Sequence, residues 1–128
     1  MSKLCLAFTA PVLAALAFAG GAQAHTKLIS SSPAANSTVA KPGRLVLNFN
    51  ERVVANFTGA TLVMTSMPGM ANHQPMAITG FTSAMSADGK TLTLTMRRAL
   101  TPGTYQLNWH AAGADTHRMV GTFTFTVK

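Results

Sequence analysis

The clearest sign of the fold lies in residues 100–109, which read Leu100-Thr101-Pro102-Gly103-Thr104-Tyr105-Gln106-Leu107-Asn108-Trp109. A Thr-Pro-Gly turn followed closely by a tyrosine is typical of a tyrosine corner, a feature of Greek-key β-sandwiches. Beyond the turn, Tyr105, Leu107 and Trp109 alternate with polar residues, so they share one face of a strand. This stretch predicts a strand that begins at a corner and packs one face into a core.

The same alternation recurs elsewhere in the chain. Apolar residues take every second position in residues 44–51, 91–96 and 119–127, and residues 61–66 form a further β-favouring run. Turn signals separate these runs, and Asp88-Gly89 is a good hairpin signal. No segment of the sequence shows a helical period with caps. The pattern predicts an all-β chain folded as a two-sheet sandwich or a small barrel.

The first 24 residues are predicted to be a cleaved secretory signal peptide. A short positive start precedes an apolar run over residues 4–18, and Ala22-Gln23-Ala24 fits a signal-peptidase site. The apolar run is shorter than the roughly 20 residues that a membrane-spanning helix needs. We therefore expect a periplasmic protein without stable membrane insertion, whose single domain comprises residues 25–128 and begins at His25.

The composition argues against several classes of function. The sequence contains 1 Cys and 3 Asp+Glu, too few for a disulfide framework, a Cys-based zinc site or paired-carboxylate catalysis. The net charge is +7, yet the basic residues are scattered apart from Arg97-Arg98, so we expect no nucleic-acid partner. The excess charge either keeps the surface soluble or gives a weak attraction to anionic lipid or to an acidic partner.

His25, Asp115 and His117 have donors that suit one metal site. Cleavage after Ala24 would leave His25 with a free amine, and an amine and a ring nitrogen from one residue chelate Cu(II) well. Asp115 and His117 are two residues apart, so in an extended strand they would face the same side, at the end of the inward-facing row. The simpler explanations are a chance cleavage position for His25 and a surface polar turn for the other two.

Glu51 is a fourth candidate for the same site. It continues the inward face of residues 44–51, where a carboxylate needs a cation or hydrogen-bond donors to offset its desolvation. Pairing with Arg52 or Arg118 is the alternative. His110 follows Trp109 and is expected to be a buried or capping histidine, with an auxiliary ligand role as the alternative.

Methionines are concentrated in residues 64–76. This segment holds four of the eight methionines together with a histidine: Met64, Met67, Met70, His73 and Met76. Thioethers are soft donors that select Cu(I) where cysteine is absent. Pro68, Gly69 and Pro75 disfavour a helix, so we predict a loop that exposes its methionines and forms a second metal site. Packing in the core is the alternative, and it applies best to Met64 at the end of a strand.

Together these motifs resemble the CopC family of periplasmic copper-resistance proteins, over essentially the whole chain after residue 24. The segments that carry the resemblance are His25-Thr26-Lys27-Leu28, Ser32-Pro33-Ala34, Leu47-Asn48-Phe49-Asn50-Glu51, Met67-Pro68-Gly69-Met70, Gly103-Thr104-Tyr105, Trp109 and Asp115-Thr116-His117. The resemblance implies a Greek-key, immunoglobulin-like β-sandwich that carries copper and performs no catalysis.

The resemblance also implies two ligand sets and two kinds of partner. Cu(II) would be held by His25, Glu51, Asp115 and His117. Cu(I) would be held by Met64, Met67, Met70, His73 and Met76, with the choice among them open because relatives differ in loop length. The implied partners are copper ions, an inner-membrane copper importer and a multicopper oxidase.

Two other functions stay open at the level of sequence. An N-terminal histidine and a second histidine also form the copper centre of polysaccharide-oxidising monooxygenases, although one Trp and one Tyr offer little flat surface for a sugar chain. An immunoglobulin-like interaction module without metal is the third possibility, and such a protein would take up no copper.

Overall fold

The computed structural model describes residues 25–70 and 74–128, which form two β-sheets and one short 3-10 helix at Ala55–Phe57. The predicted signal peptide, residues 1–24, and the candidate ligand His73 lie outside the described residues. In the described part of the chain, no helix is long and apolar enough to cross a membrane. The nine strands found there are β1 (Leu28–Ser32), β2 (Thr38–Val39), β3 (Arg44–Phe49), β4 (Gly59–Ser66), β5 (Met76–Ile78), β6 (Phe81–Met85), β7 (Thr91–Met96), β8 (Gly103–Ala112) and β9 (Arg118–Val127).

The two sheets have four and five strands. Their orders are β1-β3-β7-β6 and β2-β9-β8-β4-β5. Neighbouring strands pair antiparallel, except that β2 runs parallel to β9. The described chain crosses from one sheet to the other five times: into and out of β2, between β3 and β4, between β5 and β6, and between β7 and β8. These crossings are those of a Greek-key sandwich, so the predicted all-β sandwich is confirmed in preference to a small barrel.

The core lies between the sheets and is filled from the alternating positions that the sequence predicts. β3 and β7 bury every second side chain, and β8 does so from its start to Leu107. Fully burying one Leu or Phe stabilises the fold by about 1.5–3 kcal/mol. The buried side chains of these three strands include Leu45, Leu47, Phe49, Leu92, Leu94, Met96, Tyr105 and Leu107.

The predicted tyrosine corner is present at the start of β8. The Tyr105 hydroxyl donates a hydrogen bond of 2.6 Å to the carbonyl oxygen of Thr101, and the Tyr105 ring stacks on Phe125 with centroids 5.6 Å apart. Gly103 permits a close approach here, because a Cβ at this position would lie 2.6 Å from the carbonyl oxygen of Ser66. The corner thus holds the start of β8 against the end of β4.

The Asp88-Gly89 signal marks the hairpin between β6 and β7, as predicted. Gly89 has a φ of 69°, a conformation that favours glycine. The Asp88 carboxylate accepts hydrogen bonds from the Ser86 hydroxyl and from the backbone N–H of Lys90. These two bonds hold the pKa of Asp88 below its usual value.

The ten residues of β8 separate two ends of the sandwich by roughly 30 Å, at a rise of about 3.3 Å per residue. At the Ala112 end, the N–H of Val54 bonds to the carbonyl of Ala112 and that of Phe49 to the carbonyl of Lys90. We call this end the His end, residues 25–27, 50–55, 86–90 and 112–118. We call the Gly103 end the Met end, residues 41–44, 64–70, 74–81, 96–104 and 128.

Candidate functional site

Two predicted nitrogen ligands meet at the His end. The imidazole rings of His25 and His117 have centroids 5.9 Å apart and an interplanar angle of 56°. With metal–nitrogen bonds of about 2 Å, two imidazoles on one ion have centroids roughly 4–6 Å apart. Both residues are exposed, so an ion can reach the pair from solvent without any opening of the core.

Hydrogen bonds to Asn50 position His25. The Asn50 side-chain amide donates to the carbonyl oxygen of His25 at 3.0 Å, and the Lys27 N–H donates to the Asn50 side-chain oxygen at 2.8 Å. The Asn50 N–H also donates to the carbonyl oxygen of Lys27 at 3.0 Å. These three bonds fix the start of the domain to the end of β3.

The prediction that Asp115 and His117 lie in an extended strand, at the end of its inward row, is wrong. β9 begins at Arg118, and a 2.9 Å bond from the N–H of Thr116 to the carbonyl of Gly113 closes a turn before it. The His117 N–H donates to the Asp115 carboxylate at 3.1 Å, a side-chain bond that favours turns over strands. The turn leaves Asp115 and His117 exposed to solvent.

Glu51 lies at the same end, with its carboxylate directed at Thr26. The Thr26 hydroxyl, which is 3% exposed, donates to Glu51 Oε1 at 2.6 Å. The same oxygen lies against Gly113, where an added Cβ would collide with it. The Arg52 side chain, one alternative partner, lies over Gly89 instead. Glu51 therefore joins the segment that carries His25 to the turn that carries His117.

The four predicted Cu(II) ligands are not all brought together. Within residues 25–70 and 74–128, no three His, Cys, Asp or Glu side chains lie close enough to hold an ion as they stand. The two imidazoles are paired, while Glu51 is bonded to Thr26 and Asp115 to the N–H of His117. A carboxylate would have to move closer to the histidines to share an ion with them.

The Met67–Met70 segment forms a tight turn at the Met end. The Met70 N–H donates to the carbonyl of Met67 at 3.0 Å, and Gly69 has a φ of 79°. The Met70 side chain is 56% exposed, as expected for a loop methionine. Met67 is half-buried and packs against the core.

Met64 and Met76 lie on paired strands. They face each other across β4 and β5, so the prediction of a loop that reaches Met76 is wrong, because β5 begins there. Met64 is 3% exposed and belongs to the core, as its place in a strand suggests, whereas Met76 is 50% exposed at the sheet edge. The two side chains lie on the same, inward face of the sheet, because residues directly opposite each other share a face. Met76 is open to solvent because β5 is an edge strand.

His110 lies outside the histidine pair. Its ring packs over Gly59, where a Cβ would stand 3.0 Å from the His110 Cε1 atom. It lines a separate cleft with Phe57 and Arg118. Burial, and to a lesser extent the charge of Arg118, lower the pKa of His110. His110 is a half-buried packing residue, in line with the simpler of its two interpretations.

No motif in the sequence marks Thr26 and Asn50 as supporting residues of the site. Each makes a side-chain bond across a separation of 25 residues. Neither has an ionisable side chain or a spacing that suggests a ligand. The signal available was their position beside His25 and Glu51.

The fold and its two ends define a class: a small Greek-key sandwich with a histidine pair at one end and methionines at the other. The CopC domain model matches residues 28–128. The chain belongs to the CopC family, which confirms the resemblance seen in its motifs.

Similar proteins carry names that refer to copper. Copper resistance protein C from Pseudomonas syringae pv. tomato is 49% identical over 107 residues, which cover 84% of this chain and 83% of the relative. Copper resistance protein C from Escherichia coli is 45% identical and covers 84% of each chain. The crystal structure of PcoC, a methionine-rich copper resistance protein from Escherichia coli, superposes with a TM-score of 0.74 at 43% identity, covering 82% of this chain and 100% of PcoC.

Proposed function

We propose that this chain is a periplasmic copper-resistance protein that carries Cu(II) at the His end and Cu(I) at the Met end. The observation that carries the proposal is the pair of imidazoles from His25 and His117, 5.9 Å apart and open to solvent. The names of its relatives support copper as the ion. We propose no catalytic role, in line with those names.

The Cu(II) site needs a domain that begins at His25. Removal of residues 1–24 by signal peptidase would free the amine of His25, which then binds the ion together with a ring nitrogen of the same residue. His117 supplies a further imidazole, and Glu51 or Asp115 supplies a carboxylate oxygen after a shift towards the histidines. Nitrogen and oxygen donors of this kind suit the oxidised ion.

The Cu(I) site uses thioethers at the Met end. Met70 and Met76 are half or more exposed, so they meet an incoming ion first. Met67 and His73 are the next candidates. Met64 belongs to the same predicted set, but it would have to leave the core to ligate. Thioethers favour the reduced ion, so the two ends differ in the oxidation state that they hold.

Copper passes between the two kinds of site through a second molecule or after release. The ends lie roughly 30 Å apart, too far for an ion to be shared within one chain. Reduction of Cu(II) by an external one-electron donor would weaken binding at the His end and favour a thioether site on another molecule. Oxidation of Cu(I) by an external one-electron acceptor would do the reverse. An inner-membrane copper importer and a multicopper oxidase are the partners that we propose for such transfer.

Titration of each oxidation state into matched variants tests the proposal. Two variants that begin at His25 are compared. The first carries His117→Asn, and the second carries both Met70→Leu and Met76→Leu. We expect the first variant to lose Cu(II) affinity alone and the second to lose Cu(I) affinity alone. If either variant lost affinity for Cu(II) and for Cu(I) equally, the proposal of two distinct sites would be refuted. Oxygen-dependent cleavage of a polysaccharide by the copper-loaded protein would show that it is an enzyme instead.

A further inference from the structure

Charge is distributed unevenly between the two ends of the described chain. The Met end holds five basic side chains and, among its described residues, no acidic side chain, a net side-chain charge of +5. The His end holds four cations and all three acids of the sequence, a net charge of +1. The Met-end cations are Lys41, Arg44, Arg97, Arg98 and Lys128. The His-end charges are Lys27, Arg52, Lys90, Arg118, Glu51, Asp88 and Asp115.

Backbone hydrogen bonds place the five cations at one end. The Met96 N–H donates to the carbonyl of Gly43 at 2.9 Å, which brings the segment of Lys41 and Arg44 beside the end of β7. The Arg97 N–H donates to the carbonyl of Gly80 at 2.8 Å. Lys128 follows Val127, which pairs with Gly103 at the start of β8. The positive field of the Met end is therefore a consequence of strand register.

Arg97 and Arg98 border an apolar cavity at this end. The cavity has a volume of about 390 Å³ and lies between the β5–β6 connection and the segment after β7. Both arginines are exposed. The apolar lining includes Ala77, Ile78, Met96 and Leu100.

We propose that the Met end is a docking surface for an acidic polypeptide segment with one apolar anchor residue. The acidic residues complement the net charge of +5, and the anchor fills the cavity beside Arg97 and Arg98. The cavity is concave and apolar, so it can accommodate a protruding side chain of a polypeptide. The flat surface of an anionic membrane would fit it less well. Met76 precedes Ala77 of the cavity lining, so a docked partner would sit beside an exposed methionine.

This inference rests on the proposed function for its purpose, since the docked segment would belong to a protein that exchanges Cu(I) with the methionines. Docking itself needs no metal. The positive field also opposes capture of a cation at the Met end. An acidic partner would neutralise that field and so strengthen binding of the ion at the shared surface.

Binding of a synthetic peptide to copper-free protein tests the inference. The probe is a fluorophore-labelled, end-blocked peptide Glu-Glu-Leu-Glu-Glu, and the readout is fluorescence anisotropy over a series of salt concentrations. The test variant carries Arg97→Glu and Arg98→Glu. The matched control carries Lys27→Glu and Lys90→Glu, which change the net charge equally at the His end. Thermal unfolding of both variants confirms that each is folded.

We expect the Arg97→Glu, Arg98→Glu variant to bind the peptide at least about fivefold more weakly, because two attractive contacts between exposed charges become repulsive. At physiological ionic strength the control should stay within about twofold, because its charges lie at the other end of the sandwich, beyond the Debye length of about 8 Å under those conditions. Replacing the central leucine of the peptide with serine should weaken binding to the unaltered protein by about tenfold, from lost apolar burial.

Four results would overturn the inference. These are failure of the unaltered protein to bind the peptide, equal losses in both double variants, no effect of the leucine-to-serine change, and tighter arginine-dependent binding to phosphatidylglycerol vesicles than to the peptide. The last result would assign the surface to a membrane. Copper affinities measured on the same variants separate the docking proposal from the proposal of copper binding. The peptide can dock to a protein that binds no copper, and copper can bind to a protein that does not dock the peptide.

Discussion

The His end and the Met end assemble their donors in opposite ways. At the His end, residues far apart in sequence are held together by specific bonds: Asn50 fixes the backbone of His25, and Glu51 bonds to Thr26 against Gly113. At the Met end, the donors are close in sequence but differ in burial, from Met64 in the core to Met70 in solvent. Nearness in sequence therefore does not give the methionines equal access to an ion, whereas bonds between distant segments leave both histidines exposed beside each other.

The largest effect that this difference predicts is on stability at the Met end. Met64→Ala should lower the free energy of unfolding by about 2–5 kcal/mol, because it leaves a cavity in the core. The exposed Met70→Ala should change it by less than about 0.5 kcal/mol. Urea unfolding of both variants gives the comparison, and similar losses would contradict the different burial of the two side chains.

Met64→Leu sharpens the same comparison. This swap nearly conserves volume and should cost less than about 1.5 kcal/mol, so the folded protein remains available for titration. We expect its Cu(I) affinity to stay within about twofold, because a core residue is not free to reach the ion. A tenfold loss in a stable Met64→Leu protein would instead place Met64 among the ligands.

Loss of His117 should have the next largest effect. His117→Ala removes one imidazole of the pair, and Cu(II) affinity should fall by more than roughly 100-fold, the upper figure for loss of a supporting group around a metal. His110→Ala is the control, since His110 lines a different cleft. Isothermal titration with Cu(II) would contradict the site if both variants lost affinity equally.

Gly113→Ala should have a smaller effect on the same end. The added methyl group would displace the Glu51 carboxylate, which joins the segment of His25 to the turn before His117. We therefore expect the histidine pair to be held less well and Cu(II) affinity to fall by about 10-fold, within the range for supporting residues. Gly80→Ala is the matched control, because nothing lies within 4 Å of its Cβ position. Unchanged Cu(II) affinity in Gly113→Ala would remove Glu51 from the site.

Much of the fold could be predicted from residue patterns because the relevant physics is local. Period-2 alternation defines β3 and β7, and the tyrosine corner and Asp88-Gly89 turn depend on residues close in sequence. The error at Asp115 and His117 has a local cause as well. The Asp115 side chain bonds to the N–H of His117, and Thr116 adopts a φ of 60°, so a turn replaces the extended strand.

The site was less accessible to sequence reasoning because it depends on contacts between distant segments. Residue type identified His25 and His117 as ligands, but only the fold shows that their rings approach each other. Pairing of β4 with β5, which puts Met76 in a strand, also involves a register that no local motif specifies. Likewise, the hydrogen bond between Thr26 and Glu51 joins residues 25 positions apart, and no sequence pattern predicts that they are in contact.

The central claim is that a free amine on His25 completes a copper site with His117, and electron paramagnetic resonance of bound Cu(II) tests it most directly. Two proteins that begin at His25 are compared, one with a free amine and one acetylated at that amine, and equal thermal unfolding midpoints show that both are folded. We predict that acetylation changes the spectrum and lowers Cu(II) affinity by at least about tenfold, because it removes the amine as a ligand nitrogen. An identical spectrum with undiminished affinity in the acetylated protein would contradict the account.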